Sequence, residues 1–259
     1  MNEGSAAELL SKKLRNKLYF FDSTDSTNDR LKALASRGAE EGTAVVSDSQ
    51  TAGRGRLGRS FLSEKGRGIY MSVLLRPDCS AESALGLTAC AAAAVCRALE
   101  RFGVNAGIKW VNDIFLNGKK ICGILCESSI GADGRLRYAV IGIGINVLGV
   151  DFPEELRDIA GSVESQCGVS LSRAELCTAV YDELLEIYRD WQKDSACCLD
   201  DYRRRCFIIG KRVRVLSPSG ERTAEVLGID ADFGLSVSVD GKKEILRADE
   251  ISLRLPDRS

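Results

Sequence analysis

Histidine is absent from the sequence, and its absence removes several classes of functional site. Without imidazole there is no Ser-His-Asp or Cys-His nucleophile system, no histidine metal ligand and no histidine acid–base catalyst. The 10 cysteines include no Cys-x-x-Cys pair and lack the regular spacing of a zinc ribbon or a disulfide framework. We therefore predict free thiols in a reducing compartment.

The sequence also lacks a strong net charge and a long apolar segment. Its 36 basic and 37 acidic side chains give a net charge of −1, so no global field attracts nucleic acid or an anionic membrane. The longest apolar stretch, residues 85–96, falls short of the roughly 20 residues that a membrane helix needs. The N-terminal residues lack the basic-then-apolar order of a secretory signal. We predict a cytoplasmic protein that binds neither nucleic acid nor a membrane.

The order of helix and strand patterns predicts an α+β fold. Helical patterns cover residues 28–37, 82–102, 154–159 and 173–190, and strand patterns cover residues 43–47, 69–75, 108–111, 114–116, 120–128 and 137–147. Asn117-Gly118 is a strong hairpin signal between two of these strands. We therefore expect a mixed, largely antiparallel sheet with flanking helices.

The pattern changes after about Cys206. From there, short strands recur between turn clusters at residues 218–220, 230–234 and 240–241. This spacing is typical of a compact all-β module. We predict one larger domain over residues 1–205 and a small SH3-like β-barrel over residues 206–259.

Residues 48–68 form a polar, glycine-rich loop that is long enough to be functional. Within it, residues 53–58 match the Gly-x-Gly-x-x-Gly pattern. The segment leads into another strand rather than opening a helix, which argues against a dinucleotide site. A protein kinase needs a His-Arg-Asp catalytic loop, which is impossible here, and no P-loop motif is present.

Cations alternate with glycines in this loop. The arginines are Arg54, Arg56 and Arg59, and the glycines are Gly53, Gly55 and Gly58. Glycine lets the backbone approach a ligand closely, and arginine forks match carboxylate and phosphate oxygens. A solvated basic loop is the alternative interpretation. The interleaving favours a loop that becomes ordered when it closes over an anion.

Two further segments carry polar groups or glycines on predicted strands. Lys120 lies on an otherwise apolar strand with Gly123 nearby, and it follows the polar segment 109–113. This arrangement suggests a cation that points into a pocket; a surface hairpin with snorkelling lysines gives the same pattern. Residues 141–147 place two glycines on one strand face, which indicates either a close ligand or tight packing against a helix.

Together these segments resemble the biotin protein ligases (biotin–[acetyl-CoA-carboxylase] ligases). The matching residues are 26–28, 50–59, 68–72, 109–113, 119–125 and 142–146. The resemblance implies a class II synthetase-like catalytic ligase core over residues 1–205. It also implies that ATP and biotin react, with Mg²⁺ as cofactor, to give biotinyl-5′-adenylate and pyrophosphate. A lysine of a biotin carboxyl carrier protein then displaces AMP.

The resemblance also implies roles for individual residues. The expected biotin contacts are Ser26, Thr27, Asn28, Gln50, Gly53, Arg54, Gly55, Arg56, Lys120 and Gly123, and the expected ATP or adenylate contacts are Arg54, Arg56, Arg59 and Asn146. The expected catalytic residues are Arg56, Asp113 and Lys120, where Asp113 either orients the acceptor lysine or assists Mg²⁺. Tyr70 and Ser72 are expected to border the pocket.

Two alternatives remain open. Lipoate–protein ligases share the fold and the adenylation chemistry, although the arginine-glycine loop favours biotin. A non-catalytic ligand sensor is the second alternative, but it need not retain Arg54, Arg56, Asp113 and Lys120 together. The short segment before Tyr19 predicts no N-terminal helix-turn-helix domain, and hence no repressor role. A homodimer formed through a sheet edge is compatible with the sequence.

Overall fold

A computed structural model describes residues 17–218, 220–247 and 251–254 of the chain. The strands are β1 (Leu18–Phe21), β2 (Ala44–Ser47), β3 (Gly68–Leu75), β4 (Gly107–Lys109), β5 (Asp113–Leu116), β6 (Lys119–Ile130), β7 (Leu136–Asn146), β8 (Arg212–Ser217), β9 (Gly220–Ile229), β10 (Leu235–Val239), β11 (Lys242–Leu246) and β12 (Ser252–Arg254). The α-helices are α1 (Thr27–Ser36), α2 (Ala84–Glu100), α3 (Glu154–Arg157), α4 (Val163–Cys167), α5 (Arg173–Trp191) and α6 (Leu199–Arg205).

The first seven strands form one sheet in the order β1-β2-β3-β7-β6-β5-β4. Strands β1 and β2 are parallel, and every other neighbouring pair is antiparallel. Asn117 and Gly118 both have positive φ between β5 and β6, as the predicted hairpin requires. The predicted mixed, largely antiparallel sheet with flanking helices is therefore confirmed.

The two faces of this sheet have different partners because side chains alternate along a strand. On β3 and β7, residues such as Met71 and Ile143 belong to a core that includes the alanine-rich helix α2 and helix α5. The opposite face packs against α1, where Leu31 contacts a small cluster with Leu74 and Val140. Next to that cluster the same face carries Ser72, Gly142, Gly144 and Asn146, so a polar pocket lies where α1 begins.

The C-terminal strands form a second, fully antiparallel sheet in the order β11-β10-β9-β8-β12. Within the described residues the outer edges of β11 and β12 have no partner strand, so the predicted barrel is an open five-stranded sheet there. Part of the predicted β module lies outside the described residues, namely 219, 248–250 and 255–259. The proposed boundary at 205/206 coincides with the end of α6, and both regions contribute to one apolar core.

The sequence patterns did not predict two short helices, α4 and α6. Helix α4 has only five residues and begins with a capping box between Ser162 and Ser165. Helix α6 has little apolar periodicity, but acidic residues occupy its first turn and arginines its last, which suits the helix dipole. Among the described residues, no helix combines the length and apolar character needed to cross a membrane.

Candidate functional site

The N-terminus of α1 carries a buried cluster of hydroxyl and amide groups. Thr27 donates from its backbone N–H and its hydroxyl to Gln50 Oε1, at 2.9 and 3.1 Å. Ser72 Oγ on β3 lies 2.8 Å from Thr27 Oγ1 and 2.6 Å from Asn28 Oδ1. Ser26, Thr27, Asn28 and Ser72 are all buried. The predicted biotin-contacting residues at this end of α1 therefore lie together, with hydrogen-bonding groups on one polar wall.

Glu127 on β6 connects this wall to the glycine-arginine loop. Its carboxylate accepts from Asn28 Nδ2 at 2.8 Å, from Lys32 Nζ at 2.8 Å and from Arg54 at 2.9 Å. Arg54 also pairs with Asp29 at 2.6 Å. Two carboxylates thus neutralise Arg54. Protein carboxylates, as well as a bound anion, can therefore hold an arginine of this loop in place.

Residues 53–61 fold into a narrow arm. Phe61 N donates to Gly53 O at 2.9 Å, and Gly55 N donates to Arg59 O at 2.7 Å. The arm turns at Leu57 and Gly58, both of which have positive φ. Leu57 is about half exposed, at 51%. The arm therefore has a hydrogen-bonded shape of its own, and its tip faces solvent.

The strand glycines make room for polar and aromatic side chains of the site. A β-carbon at Gly142 would lie 2.3 Å from Asn28 Oδ1, and one at Gly144 would lie 2.6 Å from the Phe61 ring. A β-carbon at Gly123 would lie 3.2 Å from the same ring. The Phe61 ring also meets Tyr70 edge-on, with centroids 6.5 Å apart. Gly142 therefore packs against helix α1 through Asn28, as one of the two sequence-based explanations held, whereas Gly144 admits the Phe61 ring of the loop.

Lys120 and Asp113 form an ion pair at the edge of this pocket. Lys120 Nζ lies 2.6 Å from Asp113 Oδ1, and Asp113 pairs in register with Gly123 of β6. Next to Asp113, Asn112 Oδ1 accepts from Arg56 at 3.1 Å, and its amide donates to Ile124 O at 2.8 Å. All three predicted catalytic residues, Arg56, Asp113 and Lys120, are therefore grouped around the start of β5.

Lys109, which the sequence did not single out, lies among the cations Lys120, Arg59 and Arg254. Burial lowers the pKa of its ammonium, the nearby charges of Lys120, Arg59 and Arg254 lower it further, and Asp113 opposes the shift. The Lys109 ammonium also lies 5.6 Å from the Phe115 ring centroid. Lys120, Arg59 and Arg254 thus lie close enough to perturb Lys109, and such clustered positive charge attracts a polyanion.

Asn146 lies at the end of β7, opposite Gly68 of β3. Its amide donates to Gly161 O at 3.1 Å, which ties the end of the strand to the segment before α4. Tyr70 donates to Glu64 O at 2.9 Å, and burial raises the pKa of its phenol. Both residues lie on the same face of the sheet as Ser72. Asn146, however, is fixed by the α4 side of the site rather than by the arm.

The sequence-predicted metal site rests on Asp113. Among the described residues, no group of three or more histidine, cysteine, aspartate and glutamate side chains could hold a metal ion. Mg²⁺ is commonly held by one or two carboxylates and by substrate phosphates, so a complete protein cage is not required. Asp113 fits such a metal as a single carboxylate ligand that would exchange its ion pair with Lys120.

A cavity of about 860 Å³ adjoins the arm. It is lined by Arg54 and Arg56 of the arm, Glu127 of β6, Trp191 at the end of α5, and Phe233 of the C-terminal region. Trp110 Nε1 donates to Phe233 O at 2.8 Å and so fixes the C-terminal region next to this cavity. The cavity and the polar pocket meet at the arm, which contributes residues to both.

Sequence reasoning missed Phe61, Glu127, Lys109 and Arg254 as parts of the site. Phe61 gave one usable signal, because it is an aromatic residue within a polar loop. Glu127 gave none, because it continues an ordinary strand pattern and its importance depends on contacts with α1 and the arm. Lys109 was noted only as a member of the segment 109–113.

The chain is similar in sequence and in fold to known biotin protein ligases. The model of the biotin/lipoate A/B protein ligase family matches residues 20–146. The chain is 39% identical over 242 residues to the biotin–[acetyl-CoA-carboxylase] ligase of Paracoccus denitrificans, covering 88% of this chain and 97% of that protein. It is 38% identical over 237 residues to the bifunctional ligase/repressor BirA of Bacillus subtilis, covering 90% and 73% respectively.

The fold also matches a solved structure of an Aquifex aeolicus biotin protein ligase in complex with biotin and ATP. The TM-score is 0.80 at 30% sequence identity, and the match covers 93% of this chain and 99% of that one. The similarity thus extends through both sheets.

Proposed function

Because the chain belongs to the biotin/lipoate A/B protein ligase family and is a biotin–[acetyl-CoA-carboxylase] ligase within it, we propose that it transfers biotin to a lysine of a biotin carboxyl carrier protein through biotinyl-5′-adenylate. The observation that carries this mechanism is the position of Lys120, which joins the polar pocket to the group of cations around Lys109. A carboxylate and a triphosphate can therefore meet at one lysine.

The polar wall at the start of α1 binds the ureido ring of biotin. That ring both donates and accepts hydrogen bonds, and Thr27, Gln50 and Ser72 offer hydroxyl and amide groups that can do either. Phe61 covers the apolar part of the ring system, since its side chain lies over Gly144 and Gly123. The carboxylate end of biotin then points towards Lys120.

The cations lower the barrier to adenylate formation. Biotin's carboxylate and the α-phosphate of ATP are both anions, so they approach each other only where fixed positive charge offsets their repulsion. Lys120 holds the attacking carboxylate, and Arg56 the α-phosphate. Arg59, Lys109 and Arg254 bind the pyrophosphate that leaves. Binding of phosphate also offsets the cost of keeping Lys109 charged while buried.

Asp113 is the carboxylate that would hold Mg²⁺ beside the phosphates of ATP. The ion supplies further neutralisation of the phosphate oxygens. Once pyrophosphate leaves, Asp113 orients the lysine amine of the carrier towards the acyl carbon of the adenylate. Lys120, which pairs with Asp113 at 2.6 Å, holds the carbonyl oxygen of the adenylate in position until the amine arrives.

The chain acts in the cytoplasm on a separate carrier protein. All 10 cysteines are free thiols, which suits the reducing cytoplasm where carboxylases and ATP are available. The partner is the biotin carboxyl carrier domain of acetyl-CoA carboxylase. A homodimer through a sheet edge stays a prediction that sedimentation of the purified chain would test.

ATP–pyrophosphate exchange with Mg²⁺, and with biotin or lipoate in parallel, tests the adenylation step. We expect exchange that depends on biotin and is lost in Lys120→Ala. Lys119→Ala is the matched control, because Lys119 is the neighbouring lysine of β6 and its ammonium donates to Arg157 O. Exchange with lipoate alone, or tight biotin binding without exchange, would contradict the proposal. Mass spectrometry of a carrier domain then tests the transfer.

A further inference from the structure

Four charged side chains form a closed charge ring between the arm, α1 and β6. They are Arg54 of the arm, Asp29 and Lys32 of α1, and Glu127 of β6. Arg54 Nη2 lies 2.6 Å from Asp29 Oδ1 and 2.9 Å from Glu127 Oε2. Lys32 Nζ lies 2.8 Å from the same Asp29 oxygen and 2.8 Å from Glu127 Oε1. Each carboxylate is therefore shared by one cation of the helix and one cation of the arm.

We propose that this charge ring is a latch, in which Asp29 and Glu127 are positioning residues that hold the arm over the bound ligand through Arg54. The reaction steps assigned above use neither carboxylate. Only the identity of that ligand, biotin or biotinyl-5′-adenylate, rests on the proposed function. The contacts that form the ring belong to the chain alone.

Lys32 prepares the two carboxylates for the arm. Burial by itself disfavours the Lys32 ammonium, but hydrogen bonds to Asp29 and Glu127 raise its pKa above the ordinary value, so it stays charged. Lys32 thus draws the helix and strand carboxylates together, yet it offsets only one of their two negative charges. Arg54 supplies the second positive charge and completes a neutral group of four side chains. The arm is therefore most stable where Arg54 meets both carboxylates.

Arg54 is placed to fix the whole arm. Gly53 O accepts from Phe61 N at 2.9 Å, and Arg54 itself forms a β-bridge with Ser60 on the returning half of the arm. The Phe61 ring lies directly over the backbone of Gly144 in the sheet. An anchor at Arg54 therefore also fixes the aromatic side chain that covers the polar pocket.

Glu127 connects the charge ring to the polar wall as well. The oxygen that meets Arg54, Oε2, also accepts from Asn28 Nδ2 at 2.8 Å. This bond directs the amide oxygen of Asn28 towards Ser72 Oγ, 2.6 Å away. Glu127→Gln removes the charge but keeps an amide oxygen that can accept from Asn28. This substitution therefore tests the charge ring and leaves the polar wall its acceptor.

Limited digestion of the unliganded full chain with trypsin tests the charge ring without a ligand. Mass spectrometry quantifies cleavage after Arg56 and Arg59, which lie in the arm. We expect Glu127→Gln to raise the rate of this cleavage about fivefold, which corresponds to about 1 kcal/mol. Adding Asp29→Asn should raise it further, because Arg54 then lacks both carboxylates of the ring.

Glu244→Gln is the matched control. Glu244 pairs with Arg222 within the C-terminal sheet, and its side chain is 35% exposed, compared with 24% for Glu127. The substitution removes a similarly exposed arginine–carboxylate pair that does not involve the arm, so arm cleavage should stay unchanged. Equal increases in Glu244→Gln and Glu127→Gln would overturn the latch, because the arm would then respond to any lost ion pair.

Lys32→Met separates a latch on the arm from a simple link between α1 and β6. Without the lysine, Arg54 still has both carboxylates, and their unbalanced negative charge attracts it more strongly. We therefore expect arm cleavage in Lys32→Met to be no faster than in the wild type. In an Arg54→Met background, Glu127→Gln should add nothing. Faster cleavage in Lys32→Met, or a further increase in the Arg54→Met background, would overturn the assignment.

Chase of labelled biotin from the full chain extends the test to the ligand. We expect Glu127→Gln to release biotin about fivefold faster, while the maximal rate of ATP–pyrophosphate exchange at saturating biotin and ATP changes less than about twofold. Unchanged release would overturn the latch even if arm cleavage rose. Absence of exchange in the wild type would contradict the proposed function and leave the cleavage result to decide on the charge ring.

Discussion

Arg173 and Asp48 form a buried ion pair that holds together the two ends of the glycine-rich loop over residues 48–68. Arg173 lies at the start of α5, and its guanidinium donates to Asp48 Oδ1 at 2.5 Å and to Gly68 O at 2.8 Å. Asp48 begins the loop and Gly68 ends it. The side chains of Arg173 and Asp48 are only 3% and 13% exposed. One side chain outside the loop therefore fixes both points from which the arm projects.

Replacement of Arg173 should affect stability and loop position separately. Arg173→Met leaves Asp48 charged and buried without its partner, which should lower the free energy of unfolding by about 3–5 kcal/mol. Adding Asp48→Leu should recover most of that loss, because the unpaired charge is removed. Trypsin should cleave the arm faster in both variants, since the tie to Gly68 is missing in each.

Urea unfolding and limited proteolysis measure these two effects. Lys193→Met is a suitable control, because its ion pair with Asp190 is exposed and should contribute less than about 1 kcal/mol. If the double variant protected the arm as well as the wild type, Arg173 would have only a general structural role.

Two glycines of the arm should differ sharply in their tolerance of alanine. A β-carbon at Gly53 would lie 2.5 Å from Phe61 O and 2.7 Å from Ser63 Oγ, so Gly53→Ala must push the arm apart. A β-carbon at Gly55 would lie 3.5 Å from Arg59 O, which is an ordinary contact. We expect Gly53→Ala to raise the Kd for biotin by at least tenfold and Gly55→Ala to change it less than threefold, measured by isothermal titration calorimetry. Equal losses would show that the arm needs glycine for flexibility rather than for space.

Lys109 should show a trade-off between stability and activity. Burial lowers its pKa, so the folded state disfavours the charged form. That penalty is fully present below the lowered pKa and disappears as the pH rises above about 10.5, where the unfolded chain also loses the proton. Lys109→Met should therefore be more stable than the wild type at pH 7, and its advantage should shrink towards pH 10.5.

The same variant should bind ATP more weakly, with a KM for ATP raised about tenfold in the exchange assay. Lys119→Met, at the start of β6, should show neither the pH-dependent gain in stability nor the change in KM. A Lys109→Met variant with unchanged KM for ATP would remove Lys109 from the proposed pyrophosphate site.

The sequence predicted what depends on local patterns. The Asn117-Gly118 hairpin, the strands beside it and the alanine-rich helix are recognisable because periodicity and turn residues are short-range signals. The cations of the arm were identifiable for the same reason. Contacts between distant segments were not, since Arg173 reaches Asp48 across 125 positions and Asn28 reaches Glu127 across 99. No local pattern indicates which carboxylate neutralises Arg54 or which side chain a glycine admits.

Gly144 and Phe61 provide a compensating pair. A β-carbon at Gly144 would lie 2.6 Å from the Phe61 ring, so Gly144→Ala should displace the ring from the pocket and weaken biotin binding by about 1–3 kcal/mol. Phe61→Leu removes part of the ring's volume and should weaken binding by itself, because less apolar surface covers the ligand.

In the double variant the smaller leucine leaves room for the added methyl group. Its loss should therefore be smaller than the sum of the two single losses, as titration of biotin into each variant would measure. Strictly additive losses would mean that Phe61 and Gly144 act on biotin independently, and that the glycine is needed by the ligand itself rather than by the aromatic ring.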